Sequence, residues 1–511
     1  MNPAAAYLKR ALAAGPAASL GWYARLLALV PGLAPVYANL AAQHLALGAP
    51  LAAERAARRA LGLQPSAGAW NNLGIALQEL GEAEAAVAAF RAAVAADPAS
   101  LAAGCNLVAA LHLLPEGRPA CHAGVLADWN RRFAAPLLPA AAQHPGRRDP
   151  GRILRVGYVA AGGFRHHTAA YTALPLIEAH DRAAVEPWCY SDLPPAGEDA
   201  VSARFRAAAR WRVTHGLDDE AFAETLRQDR IDILVDLYGY PQGTRLLAFA
   251  RRPAPVQMTL IPMSTTGLAA IDATVLDEAM LTPEIRASFS ERIFTLPHGF
   301  LAVPPVAMPE PALLPGRPFT FGSLNQPAKI GPAVADAWSR ILAAVPGSRL
   351  LLKARAFADR AAAERFAARF LARGVARDRL DLLAWAADSL DHARTYARID
   401  VALDPFPYAG VITTCDALWM GVPVVALEGD RLLGRFGPGF LRQMGLGHWV
   451  ARDVEDYVRI AVELAADRAG LAALRGSLRQ RYLASPLADA ATFARGVEGV
   501  YRQLWREWCG G

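Results

Sequence analysis

The chain has few lysines, few cysteines and no long apolar run. Lys9, Lys329 and Lys353 are the only lysines among 511 residues, so each is a candidate for a position that needs a compact ammonium group rather than the planar guanidinium of arginine. The five cysteines lie far apart and show no metal-ligand spacing, which indicates a reduced chain. We therefore expect a cytoplasmic protein that needs no metal cofactor.

The balance of charge limits the partners that we expect. The formal net charge of +6 is small for this length, and the basic residues are scattered among acidic ones. A nucleic-acid partner requires a stripe of positive charge, so we do not expect one. Arginines interrupt the apolar stretches near the N-terminus, which argues against a secretory signal, and no run approaches the ~20 apolar residues that span a bilayer. A membrane partner is not expected either.

The first third of the chain contains an internal repeat. Residues 67–100 match the spacing of a tetratricopeptide helix pair at Trp70, Leu73, Gly74, Leu77, Ala86, Phe90, Ala93 and Pro98. A degenerate copy covers residues 37–65, and a third copy begins near residue 104. We predict tetratricopeptide repeats with a linker helix over residues 1–135, whose concave face binds a polypeptide. An alanine-rich helical bundle is the alternative.

From residue 151 onward, short apolar runs alternate with stretches of helical periodicity. Strands are indicated near residues 153–160, 185–191, 231–237, 255–261 and 271–276, and a second set begins at residue 319. Continuous apolar strands that alternate with helices predict doubly wound parallel sheets. The expected fold class is α + α/β, with helical repeats followed by two Rossmann-like lobes over residues 151–316 and 317–511. The last stretch, residues 490–508, has the pattern of a long amphipathic helix.

The most informative segment covers residues 400–425. An apolar run ends at Asp404, a loop rich in proline and glycine follows, and Thr413 and Thr414 open a helix before the next apolar run. Such a helix start carries partial positive charge and free N–H groups, which bind phosphate. We therefore interpret this segment as a nucleotide-diphosphate site at the carboxyl end of a strand.

Four segments of the sequence resemble the family 41 glycosyltransferases, which are the O-GlcNAc transferase-like and SPINDLY-like proteins. The segments are RPAPVQ (252–257), SLNQPAKI (323–330), HARTYARIDVALDPFPYAGVITTCDALWMGVPVV (392–425) and SPLADAATFARGVEGVYRQLW (485–505). The resemblance covers nearly the whole chain and implies a GT-B pair of lobes after the repeats. It also implies an inverting transfer of a sugar, expected to be GlcNAc from UDP-GlcNAc, to a serine or threonine of a polypeptide acceptor.

The resemblance implies which residues hold the diphosphate. Lys329 matches the lysine that contacts it, where an ammonium group would stabilise the charge that develops on the leaving group. Gln326 is expected to bind the phosphate or the acceptor region. Thr413 resembles the phosphate-binding threonine, and Thr414 is a second candidate beside it.

The resemblance also implies residues for the rest of the nucleotide sugar. His392 matches the histidine that packs beside the base, and Asp416 matches the aspartate that holds the ribose. His167 matches a histidine near the acceptor and the sugar, as a general base or as a group that orients the acceptor. The adjacent His166 is the other possible match, and the proton could instead pass to the donor's phosphate or to a water.

Two segments depart from the family pattern. Val411 and Ile412 stand between the loop glycine and Thr413, where a polar or small residue is usual. Residues 258–267 keep a threonine pair and a glycine but lack the expected tryptophan and Gly-Tyr-Pro-Gly. These departures leave two alternatives open, which are a transferase that uses another donor such as GDP-fucose, and a non-catalytic scaffold of peptide-binding repeats.

Overall fold

The computed structural model describes residues 3–115, 119–140, 144, 148–241, 243–297, 299–305, 308–311, 316–385 and 389–510. Its first part is helical. The helices are α1 (Pro3–Ala13), α2 (Pro16–Leu29), α3 (Ala34–Ala46), α4 (Pro50–Leu63), α5 (Ala67–Glu79), α6 (Ala83–Ala96), α7 (Leu101–Leu111) and α8 (Pro119–Trp129). Parts of the predicted linker and of the proline-rich segment between the lobes lie outside the described residues.

Contacts one repeat period apart join the helix pairs. The Asn72 side-chain amide donates to the Ala38 carbonyl oxygen at 2.9 Å across 34 residues of sequence. Within one pair, a Cβ on Gly74 would lie 2.5 Å from the Phe90 ring, so only glycine lets α5 and α6 approach this closely. The predicted helical repeats are confirmed.

The first α/β lobe is built on one parallel sheet with the strand order β3-β2-β1-β4-β5-β6-β7. Its strands are β1 (Leu154–Val159), β2 (Val185–Ser191), β3 (Arg210–Val213), β4 (Ile233–Asp236), β5 (Val256–Leu260), β6 (Ala273–Asp277) and β7 (Arg292–Leu296). Its helices are α9 (Ala170–Ala179), α10 (Ala200–Ala208), α11 (Asp219–Gln228), α12 (Leu246–Ala250) and α13 (Pro283–Ala287). The strand order reverses beside β1 and β4, the position at which such sheets bind ligands.

The second lobe has the strand order β10-β9-β8-β11-β12-β13. Its strands are β8 (Thr320–Ser323), β9 (Arg349–Ala354), β10 (Leu380–Ala384), β11 (Val401–Leu403), β12 (Val424–Leu427) and β13 (Val450–Ala451). Its helices are α14 (Pro332–Ala344), α15 (Arg360–Leu371), α16 (Ser389–Thr395), α17 (Ile412–Trp419), α18 (Phe436–Gln443), α19 (Val454–Ala466) and α20 (Arg468–Leu483). Two lobes with parallel sheets confirm the predicted fold class.

The final helix, α21 (Ala490–Gly510), returns to the first lobe. Its apolar face is buried as predicted and joins the core around β1 and α9. The Tyr501 hydroxyl oxygen lies 3.0 Å from that of Tyr158 in β1, and Trp505 Nε1 donates to the Asp149 carbonyl oxygen at 2.9 Å. Residues that we grouped with the second lobe therefore complete the core of the first. Among the described helices, none is both long enough and apolar enough to cross a membrane.

Candidate active site

The carboxyl ends of β8 and β11 form the centre of the candidate site. The two strands are paired neighbours, so the loops that follow them lie side by side. The loop after β8 leads to a short 3₁₀ turn, Pro327–Lys329, and the loop after β11 leads to α17. These are the two segments that we expected to hold the diphosphate.

Lys329 follows β8, and its ammonium group contacts the loop after β11. Its Nζ donates to the Ala409 carbonyl oxygen at 2.9 Å and to Asn325 Oδ1 at 3.4 Å, and it lies 3.9 Å from the centre of the Tyr408 ring. The Thr413 hydroxyl donates to the same Asn325 oxygen at 3.1 Å. One amide oxygen therefore joins the amine to the first turn of α17.

Asp404, directly after β11, organises the loop that carries Thr413. Its Oδ1 accepts hydrogen bonds from the Gly410 N–H at 2.7 Å and from the Thr414 hydroxyl at 3.4 Å. A Cβ on Gly410 would lie 2.6 Å from the Thr413 hydroxyl oxygen and 2.8 Å from Asp404 Oδ1, so the loop requires glycine here. Thr414 is buried against Asp404, whereas Thr413 is only half-buried.

Lys329, Asp404 and the loop between β11 and α17 form what we call the Lys329 corner. Burial favours the neutral forms of its two charged groups. It lowers the pKa of Lys329 to about 8, although the nearby Asp404 carboxylate opposes the shift. It raises the pKa of Asp404 to about 6, against the Gly410 N–H bond and the Lys329 charge. A bound diphosphate would add negative charge beside the ammonium group and favour its protonated form.

A second cluster, at the edge of the same lobe, suits the nucleoside. His392 Nε2 lies 3.9 Å from Asp416 Oδ2, and the His392 ring centre lies 4.8 Å from that of Trp385. Burial lowers the pKa of His392 to about 4, so its ring is neutral at pH 7, and burial raises the pKa of Asp416 to about 7. Trp385 is 51% exposed. Such rings can stack on a base, and the Asp416 carboxylate can accept hydrogen bonds from ribose hydroxyls.

The loop after β1 brings both candidate histidines between the lobes. His166 is exposed, and its Nε2 lies 3.0 Å from the Tyr171 hydroxyl oxygen. The charge of His166 helps to lower the pKa of His392, and the charge of Asp416 helps to raise the pKa of Tyr171. This part of the loop therefore faces the nucleoside cluster across the two lobes.

His167 is half-buried, with its ring centre 6.2 Å from that of Tyr238. Its Nδ1 accepts a hydrogen bond from the Ala169 N–H at 3.2 Å, and burial lowers its pKa. A neutral imidazole whose Nδ1 accepts a hydrogen bond carries its proton on Nε2. That Nε2–H can donate to an acceptor or a sugar but cannot take up a proton. The geometry favours the orienting role for His167 over the general-base role.

A pocket with about 390 Å³ of empty space lies beside the Lys329 corner and is lined by residues 238–240, residues 259–266 and His112 of the repeats. Met263 connects it to the corner, because its Sδ accepts a hydrogen bond from the Tyr408 hydroxyl at 3.1 Å. Ile261 has a φ of 58°, which a β-branched residue rarely adopts. The strain falls in the segment that departs from the family pattern.

The structure brings most of the predicted site residues to the space between the lobes. They are Lys329, Thr413, His392, Asp416 and His167. Gln326 is exposed at the start of the 3₁₀ turn and Thr414 is buried below the loop, so their contacts with a donor stay predictions. We did not predict roles for Asn325, Asp404 or Tyr408. Asn325 and Asp404 carried a usable signal, because each is a polar residue at the end of an apolar strand.

The family described as Glycosyl transferase family 41 matches residues 139–310 and 306–497, which include both lobes. The chain belongs to glycosyltransferase family 41. Among the described residues of this family 41 chain, no group of three or more His, Cys, Asp or Glu side chains is placed to hold a metal ion.

Similar proteins are known from plants and bacteria. The probable UDP-N-acetylglucosamine–peptide N-acetylglucosaminyltransferase SPINDLY of Solanum lycopersicum is 37% identical over 426 residues, which are 81% of this chain and 45% of that protein. The corresponding SEC protein of Arabidopsis thaliana is 31% identical over 77% of this chain and 41% of its own length. This chain thus spans less than half of these relatives. A solved O-GlcNAc transferase mutant of Thermobaculum terrenum is 38% identical with a TM-score of 0.93, covering 100% of this chain and 99% of the other.

Proposed function

We propose that the chain is an inverting protein O-glycosyltransferase that moves N-acetylglucosamine from UDP-GlcNAc to serine or threonine hydroxyls of polypeptides. The observation that carries the proposal is the shared contact of Lys329 and Thr413 with Asn325 Oδ1. It offers an ammonium group, a hydroxyl and a helix start to one diphosphate. Family membership and the names of the similar proteins support the donor and the peptide acceptor.

In the proposed reaction, the acceptor hydroxyl oxygen attacks the anomeric carbon of the donor sugar. The bond from that carbon to the diphosphate oxygen breaks, UDP leaves with the electron pair, and the configuration inverts. Lys329 stabilises the growing negative charge on UDP without transferring a proton, so the chemistry requires no metal ion. Because His167 holds its proton on Nε2, the hydroxyl proton passes to a donor phosphate or to a water, and His167 orients the acceptor.

Other residues are proposed to bind the base and the ribose of the donor and the polypeptide acceptor. His392 and Trp385 stack on the base, and Asp416 accepts hydrogen bonds from the ribose. The pocket that contains His112 lies between the repeats and the first lobe, where a polypeptide held by the repeats meets the donor sugar. The buried free cysteines, such as Cys189 and Cys415, support a location in the reducing cytoplasm.

A screen with several donors tests the proposal. The purified chain is mixed with a protein extract and with UDP-GlcNAc or GDP-fucose in parallel, and mass spectrometry searches for modified serine and threonine residues. We expect N-acetylhexosamine to be added from UDP-GlcNAc. If only GDP-fucose supports transfer, and fucose is the sugar added, then UDP-GlcNAc has been assigned wrongly as the donor. Calorimetric binding of UDP or GDP without any transfer would instead favour a scaffold.

A further inference from the structure

The turn between α5 and α6 packs directly against the turn that carries Lys329. Gly81, with a φ of 81°, lies in this contact. A Cβ on Gly81 would lie 3.0 Å from the Pro327 carbonyl oxygen and 2.9 Å from the Phe366 ring. Pro327 begins the 3₁₀ turn that ends at Lys329. The repeats therefore touch the backbone of the donor site itself.

Apolar side chains extend this contact. Ala83 and Leu113 of the repeats form one buried cluster with Ala328, the residue before Lys329. Tyr408 packs against the same cluster, and its ring centre lies 3.9 Å from Lys329 Nζ. Both the backbone that precedes the ammonium group and the ring beside it thus rest on repeat residues.

Arg369 on α15 fixes the two turns to each other. Its Nη1 donates to the Ile330 carbonyl oxygen at 2.8 Å and to the Gly81 carbonyl oxygen at 3.2 Å, while Nη2 lies 3.4 Å from the Leu80 carbonyl oxygen. Burial lowers the pKa of Arg369 to about 10, and it still carries its charge at pH 7. One guanidinium group therefore binds the carbonyl of the residue after Lys329 and carbonyls of the repeat turn.

Arg365, one helical turn earlier on α15, supplies a natural comparison. It pairs with Glu82 at 2.7 Å and with Glu54, both on the repeats. Arg365 contacts carboxylates of the repeats, whereas the contacts of Arg369 include the carbonyl of the residue after Lys329. The two arginines cross the same interface, so a general loss of docking would affect them alike.

We propose that the Gly81 turn and Arg369 are positioning elements for Lys329, so that repeat helices α5–α7 form part of the donor site as well as an arm for polypeptides. The inference rests on the proposed function, because it concerns how the diphosphate contact is placed. A bound polypeptide that orders the repeats would then affect the donor site directly, through the turn at residues 80–83.

Two matched pairs of variants test this placement. Arg369→Met removes the bridge to Ile330, while Arg365→Met removes the ion pairs with Glu82 and Glu54 and leaves the bridge to Ile330 in place. Gly81→Ala presses a methyl group against the Phe366 ring and the Pro327 carbonyl oxygen. Gly48→Ala changes the equivalent turn of the preceding repeat, at a φ of 71°, where the three atoms nearest to a Cβ all belong to the Arg355 side chain. We expect kcat to fall at least ~10-fold in R369M and G81A, since sub-ångström misplacement of a catalytic contact is costly, with little change in R365M and G48A.

A direct readout follows from the scarcity of lysines. Selective ¹³C labelling of lysine gives signals from only Lys9, Lys329 and Lys353, and each can be assigned by substitution with arginine. In R369M and G81A, we expect the pKa of Lys329 to rise toward the ordinary lysine value, because a displaced ammonium group becomes better hydrated. In R365M and G48A, the Lys329 titration should match that of the unchanged chain.

The two experiments separate failure of the inference from failure of the proposed function. Equal losses of kcat and equal Lys329 titrations in both members of each pair would mean that the interface only docks the repeats, and would overturn the inference. If the unchanged chain transfers no sugar, the proposed function fails, and the NMR titration still decides whether the repeat turn places Lys329.

Discussion

Lys329 and Thr413 meet at one oxygen atom. Asn325 Oδ1 lies 3.4 Å from the amine nitrogen and 3.1 Å from the hydroxyl oxygen, so both groups are held by the same amide in the free protein. A diphosphate that binds here can take over both contacts without a large rearrangement. Preorganisation of this kind is what makes a charge contact effective in a transition state.

Replacement of Lys329 by alanine should lower sugar transfer by at least ~100-fold, the scale of losing one preorganised contact to developing charge. The measurement is the initial rate with UDP-GlcNAc and a protein acceptor. Lys9→Ala, far away on α1, is the matched control and should transfer at the normal rate. A normal rate for Lys329→Ala, with an unchanged melting temperature, would show that this lysine has been assigned wrongly.

The kcat/KM of sugar transfer should fall as the pH rises through about 8. Burial lowers the pKa of Lys329 to about 8, and only the protonated amine can stabilise the leaving group. The profile of kcat/KM against pH reports this free-enzyme pKa, and its alkaline limb should be absent in Lys329→Ala. A profile that stays flat up to pH 9.5 would contradict the assignment.

His167 should behave as a donor of a hydrogen bond. His167→Ala should lower turnover by ~10²-fold or more, at the lower end of what a positioned proton donor or acceptor contributes. His167→Gln can place an N–H near the position of Nε2 and should recover a large part of the loss. His166→Ala, measured beside them, should retain more activity than His167→Ala. Equal inactivity of the glutamine and alanine variants would restore the general-base role.

Nucleotide affinity should fall as the pH drops below about 7. Burial raises the pKa of Asp416 to about 7, and its ionised form is the better acceptor for ribose hydroxyls. Calorimetric titration of UDP between pH 6 and 8 measures the effect. Asp416→Asn should bind more weakly at pH 8 and should lose this dependence on pH. A variant that kept the full dependence would place the responsible group elsewhere.

The nucleotide base should stack on the exposed indole of Trp385 and the neutral imidazole of His392. Trp385→Ala and His392→Ala should each weaken UDP binding by roughly 1–3 kcal/mol, the usual contribution of an aromatic ring stacked on a base. Trp22→Ala, on α2 of the repeats, where the ring lies beside Tyr7, Arg10 and Arg25, is a suitable control. Unchanged UDP affinity in both site variants would show that the nucleotide base does not bind at this cluster.

The fold could be predicted because its patterns are long. The repeat at residues 67–100 follows from several small and aromatic residues at fixed spacing, and the central strands follow from continuous apolar runs. Strand β3, by contrast, was not predicted. Its residues, RWRV, are mostly exposed at the edge of the sheet, so they show no continuous apolar run. Edge strands lose the burial on which a sequence pattern depends.

The candidate site could be predicted by segment but not by side-chain direction. Thr413 and Thr414 are adjacent in sequence, yet only the structure shows that Thr414 is turned into the protein toward Asp404. The same holds for His166, which contacts Tyr171, and for His167, which packs beside Tyr238. Sequence spacing gives the order of such residues along the chain but not the direction of each side chain, which for the two threonines changes by ~100° per position of α17.

The return of α21 to the first lobe has a consequence for how the molecule is made. During synthesis, β1 and α9 leave the ribosome more than three hundred residues before Tyr501 and Trp505, which complete their core. The core of the second lobe draws on residues 276–303 as well as on residues 319–487, all of which precede α21. The nascent first lobe therefore keeps an exposed apolar face until α21 has left the ribosome.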